Sequence, residues 1–158
     1  MAGRRGALVP RSPEAQERSV ARRDALTALY EAEFGLRSPR EILDRRVLAG
    51  DVPEGVGVAA RELLGIVERH RPDLDALIQR LAPAFPLATM HRIERSILRC
   101  GLGEVLHSRA AAPAEAIAGW TALARTYSGE PARRLVNGVL GTAHRGNAGA
   151  GEEGGSPT

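Results

Sequence analysis

Few side chains in this sequence stand at a spacing that could support catalysis or bind a metal ion. His91 and Glu94 are three residues apart and could share one helix face, but a metal site needs three or four ligands. Cys100, the single cysteine, lies inside an apolar helical run. No base and orienting group can be assigned to it from spacing, as a nucleophile would require. The sequence therefore predicts no catalytic residue, no metal site and no cofactor.

A glycine pattern after Pro53 needs separate consideration. Residues 55–60 read G-V-G-V-A-A, which fits the G-x-G-x-x-A fingerprint of dinucleotide-binding proteins. That fingerprint works only where it follows a β-strand in a βαβ unit, and no strand pattern precedes it here. We interpret these small residues as positions where two helices approach closely.

Arginines are concentrated at the start of the chain. Through Arg23 there are six arginines and two acidic residues, which gives a local net charge of 6 − 2 = +4. Arg18 and Arg22 are four residues apart and share a helix face, with Arg23 beside them. Tyr30 follows two turns later and could stack on a base. This combination indicates an RNA-binding surface, although all 22 basic residues are arginine and a proteome-wide bias is the alternative explanation.

A second basic pair begins the last helical pattern. Arg133 and Arg134 follow Tyr127 closely, and arginines at a helix N-terminus oppose the helix dipole. An anionic partner would explain them, and so would the arginine bias. The RNA interpretation requires these guanidinium groups and phenol rings to share one side of the scaffold, without carboxylates that neutralise them.

The remaining composition favours helices. Alanine and leucine supply most of the apolar residues, and strand-forming residues are sparse. Apolar residues recur at helical spacing between capping and breaking residues, and no segment alternates as a strand does. The sequence predicts an all-α bundle of seven helices, at about residues 13–34, 39–49, 54–71, 72–81, 88–107, 113–128 and 130–143.

We expect one helical domain with two disordered ends. Residues 1–11 form a basic arm, residues 12–145 form the helical domain, and the Gly-rich residues 146–158 lack the apolar side chains needed for a core. A single cysteine fits a reducing compartment. No apolar run is long enough to span a membrane, and the start lacks a secretory signal. We therefore expect a cytoplasmic protein without a membrane segment.

Three segments resemble the NusB family of transcription antitermination proteins. Residues 22–30, R-R-D-A-L-T-A-L-Y, are similar to the family's opening, and residues 93–99, I-E-R-S-I-L-R, to its central helix. Residues 123–130, L-A-R-T-Y-S-G-E, followed by 135–140, L-V-N-G-V-L, resemble its ending. The three motifs occur in the family's order and spacing and cover nearly all of residues 18–143.

The resemblance implies a seven-helix fold of two packed sub-bundles and a role without catalysis. It implies binding to boxA RNA of ribosomal RNA leader transcripts together with the ribosomal protein NusE. The complex would join the RNA polymerase elongation complex with other Nus factors and support rRNA synthesis. It also implies a partner contact at Glu94. With the basic residues above, the expected RNA-binding set is Arg18, Arg22, Arg23, Tyr30, Tyr127, Arg133, Arg134 and Asn137.

The sequence departs from the family pattern near the end that binds RNA. Where the family has I-N-E-A, residues 117–120 read I-A-G-W, so an amide and an acid are lost, and Trp120 could refill the core. Leu135 replaces a frequent phenylalanine, and Pro131 and Gly141 replace frequent aspartates. These departures leave an alternative open, a helical protein-interaction module that has lost or weakened RNA binding. The protein could be a monomer or a homodimer.

Overall fold

The computed structural model describes the backbone of residues 11–153 and the side chains of residues 11–148. The predicted basic arm lies outside this part, except for Arg11. The described residues contain helices and no strand, which confirms the all-α prediction. The helices are α1 (Pro13–Ala32), α2 (Pro39–Leu48), α3 (Glu54–Leu81), α4 (Arg92–His107), α5 (Pro113–Ser128) and α6 (Glu130–Glu153), with a 3₁₀ turn at Leu87–Thr89.

The structure has six α-helices in its described part, so the predicted count of seven is wrong. The sequence predicts a helix end at Pro72, yet α3 continues through it for 28 residues. Val67, Leu74 and Ile78 are all buried on one face, because their spacing of seven and four residues keeps the helical phase across the proline. Burial of this continuous face outweighs the lost hydrogen bond at Pro72.

The ends of the shorter helices follow the local signals. Ser12 accepts a hydrogen bond from the backbone of α1, and Ser38 and Glu41 form the predicted capping box of α2. Gly50 and Gly129 follow α2 and α5 with φ angles of +80° and +88°, a backbone conformation that favours glycine.

The last helix is longer than the sequence predicts. An end near Ala143 is expected because the apolar stripe stops there, but α6 runs to Glu153. The stripe marks where α6 stops packing on the core. It does not mark where the backbone stops being helical, since no proline interrupts this stretch. The helix thus overlaps residues 146–153 of the expected disordered tail, and residues 154–158 lie outside the described part.

The helices form two groups of three that share one core. Helices α1, α2 and α3 pack on one another, as do α4, α5 and α6, and the two groups meet where α4 packs on α3 and α1. Helix α4 is the most buried element, with Ile97, Leu98 and Leu102 fully enclosed. Within the described residues, no helix is long and apolar enough to cross a lipid bilayer.

Glycines bring the packed helices close together. A Cβ atom on Gly57 would lie 2.7 Å from Val47 Cγ2 of α2, and one on Gly101 would lie 3.0 Å from Leu140 of α6. Such distances leave no room for a side chain. The small residues at positions 55–60 therefore allow close helix packing, as the sequence suggests.

Candidate functional site

Arg22, one of the predicted RNA contacts, lies in a buried ion pair. Its side chain is 3% exposed. Its Nε and Nη2 donate to the two carboxylate oxygens of Glu104 at 2.8 and 2.7 Å. Trp120 Nε1 donates to Glu104 Oε1 at 2.9 Å. Burial alone would lower the pKa of Arg22, but the hydrogen bonds and charges of Glu104 and Glu115 raise it overall. This guanidinium stays charged inside the protein, where it joins α1 to α4.

Arg18 belongs to the same network at its exposed edge. Arg18 Nε and Nη2 donate to Glu115 at 2.8 and 2.6 Å, and Glu115 accepts a further bond of 2.7 Å from Arg22. The hydrogen bond from Arg18 lowers the pKa of Glu115 to about 2. Two arginines therefore face two glutamates, so that the formal charges within the network balance.

The network corrects the expected role of the first basic stripe. Arg22 is enclosed and fully paired, so its position is that of a structural residue and not of an RNA contact. Arg18 is 27% exposed, but its charge is offset by Glu115. The RNA interpretation requires that no carboxylate neutralises the basic face. Arg23 meets this requirement, whereas Arg18 and Arg22 do not.

The same network accounts for the departure at residues 117–120. Trp120 is fully buried, as expected if it refills the core, and its indole N–H is satisfied by Glu104. A Cβ atom on Gly119 would lie 3.0 Å from Arg22 Nη1. The missing side chain at 119 thus makes room for the arginine, whose guanidinium pairs with Glu104 and Glu115.

An open groove gathers several of the other predicted residues. Tyr30 of α1 and Phe34, which lies two residues after the end of α1, contact each other edge to face, with ring centroids 5.0 Å apart. Arg92 at the start of α4 places its guanidinium carbon 4.6 Å from the Phe34 ring centroid. Tyr127, at the end of α5, lines the same groove. We call this the aromatic groove; its lining residues are Tyr30, Phe34, His91, Arg92, Ile93, Glu94, Tyr127 and Ser128.

Large rings remain uncovered in the aromatic groove. Tyr30, Phe34 and Tyr127 are 36%, 58% and 49% exposed. Glu94, the expected partner contact, lines the same groove, and its carboxylate makes no hydrogen bond or ion pair with any described residue. The structure therefore brings Tyr30, Tyr127 and Glu94 together from three helices.

The remaining predicted residues divide into free and paired groups. Arg23 is exposed on α1 seven residues before Tyr30, so it leads along the same face toward the groove. Arg134 and Asn137 are exposed on α6. Arg133 instead holds Glu130 through several hydrogen bonds of 2.6 to 2.9 Å, which offsets its charge.

Phe34, His91 and Arg92 line the groove but are absent from the predicted site. The sequence offered one usable signal: Phe34 follows Tyr30 by four residues, a spacing that places two rings on one helix face. His91 and Arg92 meet α1 only through the packing of α4, which spacing does not reveal.

Cys100 is fully enclosed on α4. Burial raises the pKa of its thiol to about 12, which keeps it protonated and unreactive near neutral pH. Among the described residues, no three His, Cys, Asp or Glu side chains are grouped to hold a metal ion.

Known proteins share both the sequence pattern and the fold. The model of the NusB family matches residues 19–145. The transcription antitermination protein NusB of Rubrobacter xylanophilus is 33% identical over 141 residues, which cover 87% of this chain and 99% of the relative. The protein of that name from Bifidobacterium animalis subsp. lactis is 32% identical over 123 residues, covering 78% and 80%.

Two solved structures have a similar fold. The crystal structure of antitermination factors NusB and NusE in complex with dsRNA contains a chain with a TM-score of 0.73 and 23% identity, covering 83% of this chain and 98% of that one. The solution structure of NusB from Aquifex aeolicus gives a TM-score of 0.70 at 23% identity, covering 90% and 97%. At this identity the likeness shows the fold.

Proposed function

The chain belongs to the NusB family, and on that basis we propose that it is a transcription antitermination adaptor that binds RNA and a ribosomal protein. Its RNA is the boxA element of rRNA leader transcripts, and its protein partner is NusE. Together they act on the RNA polymerase elongation complex with other Nus factors and support rRNA synthesis. The chain itself carries out no chemical reaction.

The aromatic groove is the observation that carries this proposal. Bases stack on exposed aromatic rings with little dependence on sequence, and each stack contributes about 1 to 3 kcal/mol. Tyr30 of α1 and Tyr127 of α5 offer such rings in one groove. Arg92, held against Phe34, adds a positive charge that a neighbouring phosphate requires.

Two further cations extend this surface in the proposal. Arg23 and Arg134 are exposed and form no ion pair with any described residue, so their charge is available to phosphates. Asn137 lies three residues after Arg134 and supplies an uncharged donor and acceptor. These residues replace Arg18 and Arg22 as the basic contacts.

Glu94 supports a protein contact at the same groove. An unpaired carboxylate beside RNA is unfavourable because it repels phosphates. A basic side chain of NusE would neutralise it. We therefore place the RNA and the partner protein side by side, with Glu94 facing the partner.

The test is a titration of boxA RNA and a scrambled RNA of equal length, with and without NusE. We expect tighter binding of boxA when NusE is present. Tyr30→Ala and Tyr127→Ala should each weaken it about tenfold through the loss of one stack. Phe85→Ala removes an exposed ring outside the groove and serves as the matched control. Equal binding of both RNAs, or tyrosine variants that behave like the control, would contradict the proposal.

One observation favours a second function. The paired state of Arg18 and Arg22 removes two charges from the surface that RNA would meet. A protein-interaction module that has lost or weakened RNA binding would use the aromatic groove for a protein partner alone. In that case all RNA titrations would give weak binding, while NusE would still bind.

A further inference from the structure

Glu33, at the end of α1, is surrounded by more positive charge than it can neutralise. Its carboxylate lies 3.0 Å from Arg95 Nη2, 3.4 Å from Arg99 Nη1 and 3.6 Å from Arg92 Nε. These three arginines follow one another along α4 at spacings of three and four residues. One carboxylate therefore serves a row of three cations.

A fourth arginine joins this row from α3. Arg99 also pairs with Asp75 at 2.7 Å, but Arg71 makes no ion pair with any described residue. Arg71 is exposed as a residue, but partial burial of its guanidinium and the positive charge of Arg99 lower its pKa. Four arginines thus face two acids, Glu33 and Asp75, which leaves an excess of 4 − 2 = 2 positive charges.

One nitrogen of the Arg95 side chain lacks a hydrogen-bond acceptor. Its Nη1 donates to the carbonyl of Leu87 at 3.2 Å and its Nη2 donates to Glu33. Its Nε is buried, and no described residue accepts a bond from it. A buried donor without an acceptor costs free energy unless a ligand or water satisfies it. Unbalanced charge and an unused donor therefore coincide at one place.

We propose that the arginine cluster, defined as Arg71, Arg92, Arg95 and Arg99, binds a phosphate group of the RNA strand whose bases enter the aromatic groove. This rests on the proposed function. Arg92 belongs to both features, since it lines the groove and pairs with Glu33. Arg92 and Arg95 contact the phosphate. Arg71 and Arg99, of which Arg99 is 7% exposed, act through their charge.

The geometry of α4 suits a polyanion that extends along it. The helical rise separates Arg92 from Arg95 by about 4.5 Å and Arg95 from Arg99 by about 6 Å along the axis. A row of arginines beside stacked aromatic rings is the arrangement that binds single-stranded nucleic acid. An acidic protein segment would match the charges, but it would not use the rings as stacking surfaces.

The test compares Arg71→Gln with Arg80→Gln. Both arginines are exposed on α3 and form no ion pair with any described residue. They are nine residues apart, which places them on opposite sides of the helix. Binding of boxA RNA in the presence of NusE is measured from 50 to 200 mM salt. We expect Arg71→Gln to weaken binding about fivefold and to reduce the salt slope by about 0.7, the value of one single-strand phosphate contact.

The outcomes separate this inference from the proposed function. If the unaltered protein binds boxA and Arg71→Gln behaves like Arg80→Gln, the phosphate site is wrong and the RNA function stands. If the unaltered protein binds no RNA, the RNA assignment fails for both. Inorganic phosphate then decides the site alone, since thermal protection relative to chloride that disappears in Arg71→Gln would support a free-phosphate site. Absence of such protection would overturn it.

A variant that is expected to strengthen RNA binding controls for effects that arise only from loss of structure. Glu33→Gln removes the shared negative charge and leaves the arginines in place. We expect tighter RNA binding and a steeper salt slope, which a damaged fold would not produce. Weaker binding by this variant would contradict the inference.

Discussion

At the residue scale, Glu104 shows how a charge can be kept inside this protein. Two carboxylate oxygens accept three hydrogen bonds, two from Arg22 and one from Trp120. Removing charges from water is costly, and a buried pair is tolerated only where such bonds satisfy it. The network holds α1, α4 and α5 in fixed relation.

Glu104→Gln should therefore destabilise the protein by about 3 kcal/mol, because it leaves Arg22 buried without its principal counter-charge. Urea denaturation followed by circular dichroism measures this change. Arg61→Gln, which removes an exposed pair with Asp44, should cost less than about 1 kcal/mol. A similar loss of unfolding free energy in the two variants would show that the buried ion pair contributes no more to stability than the exposed one.

Adjacent arginines show what residue types can predict. Arg22 and Arg23 are equivalent in the sequence, but one is enclosed and the other exposed. The difference comes from Glu104 and Glu115, which lie 82 and 93 positions further along the chain. The polar ring of Tyr30 allowed it to be predicted at the surface. The pairing of Arg22 depends on how distant helices pack, which the sequence does not reveal.

At the element scale, periodicity is more informative than single breaking residues. Buried residues in α3 recur at helical spacing from Val67 to Ile78 without interruption. This unbroken spacing could have revealed one helix where Pro72 suggested two. The capping box of α2 and the glycines that follow α2 and α5 were predicted well because they are local interactions. The end of α6 was not, since it depends on neither caps nor packing.

Two glycines with opposite surroundings test the role of close helix packing. Gly57→Ala would bring a methyl group within 2.7 Å of Val47, so we expect a loss of about 1 to 2 kcal/mol despite the better helix propensity of alanine. Gly138 has no atom within 4 Å of its Cβ position, and Gly138→Ala should stabilise by about 0.5 to 1 kcal/mol. Thermal unfolding measures both, and a shared sign would contradict the packing argument.

The contact between α3 and α4 includes a pair of stacked imidazoles. His70 and His107 lie with ring centroids 3.7 Å apart and planes 3° from parallel. Burial, the charge of His70 and that of Arg69 lower the pKa of His107, while Asp73 opposes them. The folded state therefore disfavours a proton on His107.

This pair should make stability depend on pH. The pKa of His107 is lower in the folded state than its unfolded value of 6.5, so its contribution is present above pH 6.5 and is lost as the pH falls. We expect His107→Gln to lose less stability than the unaltered protein between pH 7.5 and pH 5.5. Chemical denaturation at three pH values measures the difference. Parallel decreases would exclude a contribution from His107.

At the scale of the whole molecule, the aromatic groove lies where the two helix groups meet. Tyr30 comes from α1 of the first group and Phe34 from the turn that follows it. Arg92, Glu94 and Tyr127 come from α4 and α5 of the second group. No local pattern could predict this meeting, because it depends on how the groups pack. The family resemblance indicated this meeting indirectly, because the site residues that it implies come from both helix groups.

A groove with exposed rings and an unpaired carboxylate should be covered by a partner, and Glu94 allows that partner to be tested. Glu94→Gln removes a negative charge in the first turn of α4, and Glu54→Gln removes one in the first turn of α3. Both lose the same interaction with a helix dipole, so a difference between them isolates the partner contact. In light-scattering chromatography we expect the unaltered protein to form a complex with NusE. Glu94→Gln should weaken this complex about tenfold, and Glu54→Gln should leave it unchanged. A stable homodimer that ignores NusE would instead mean that a second copy covers the groove, which favours the protein-interaction function.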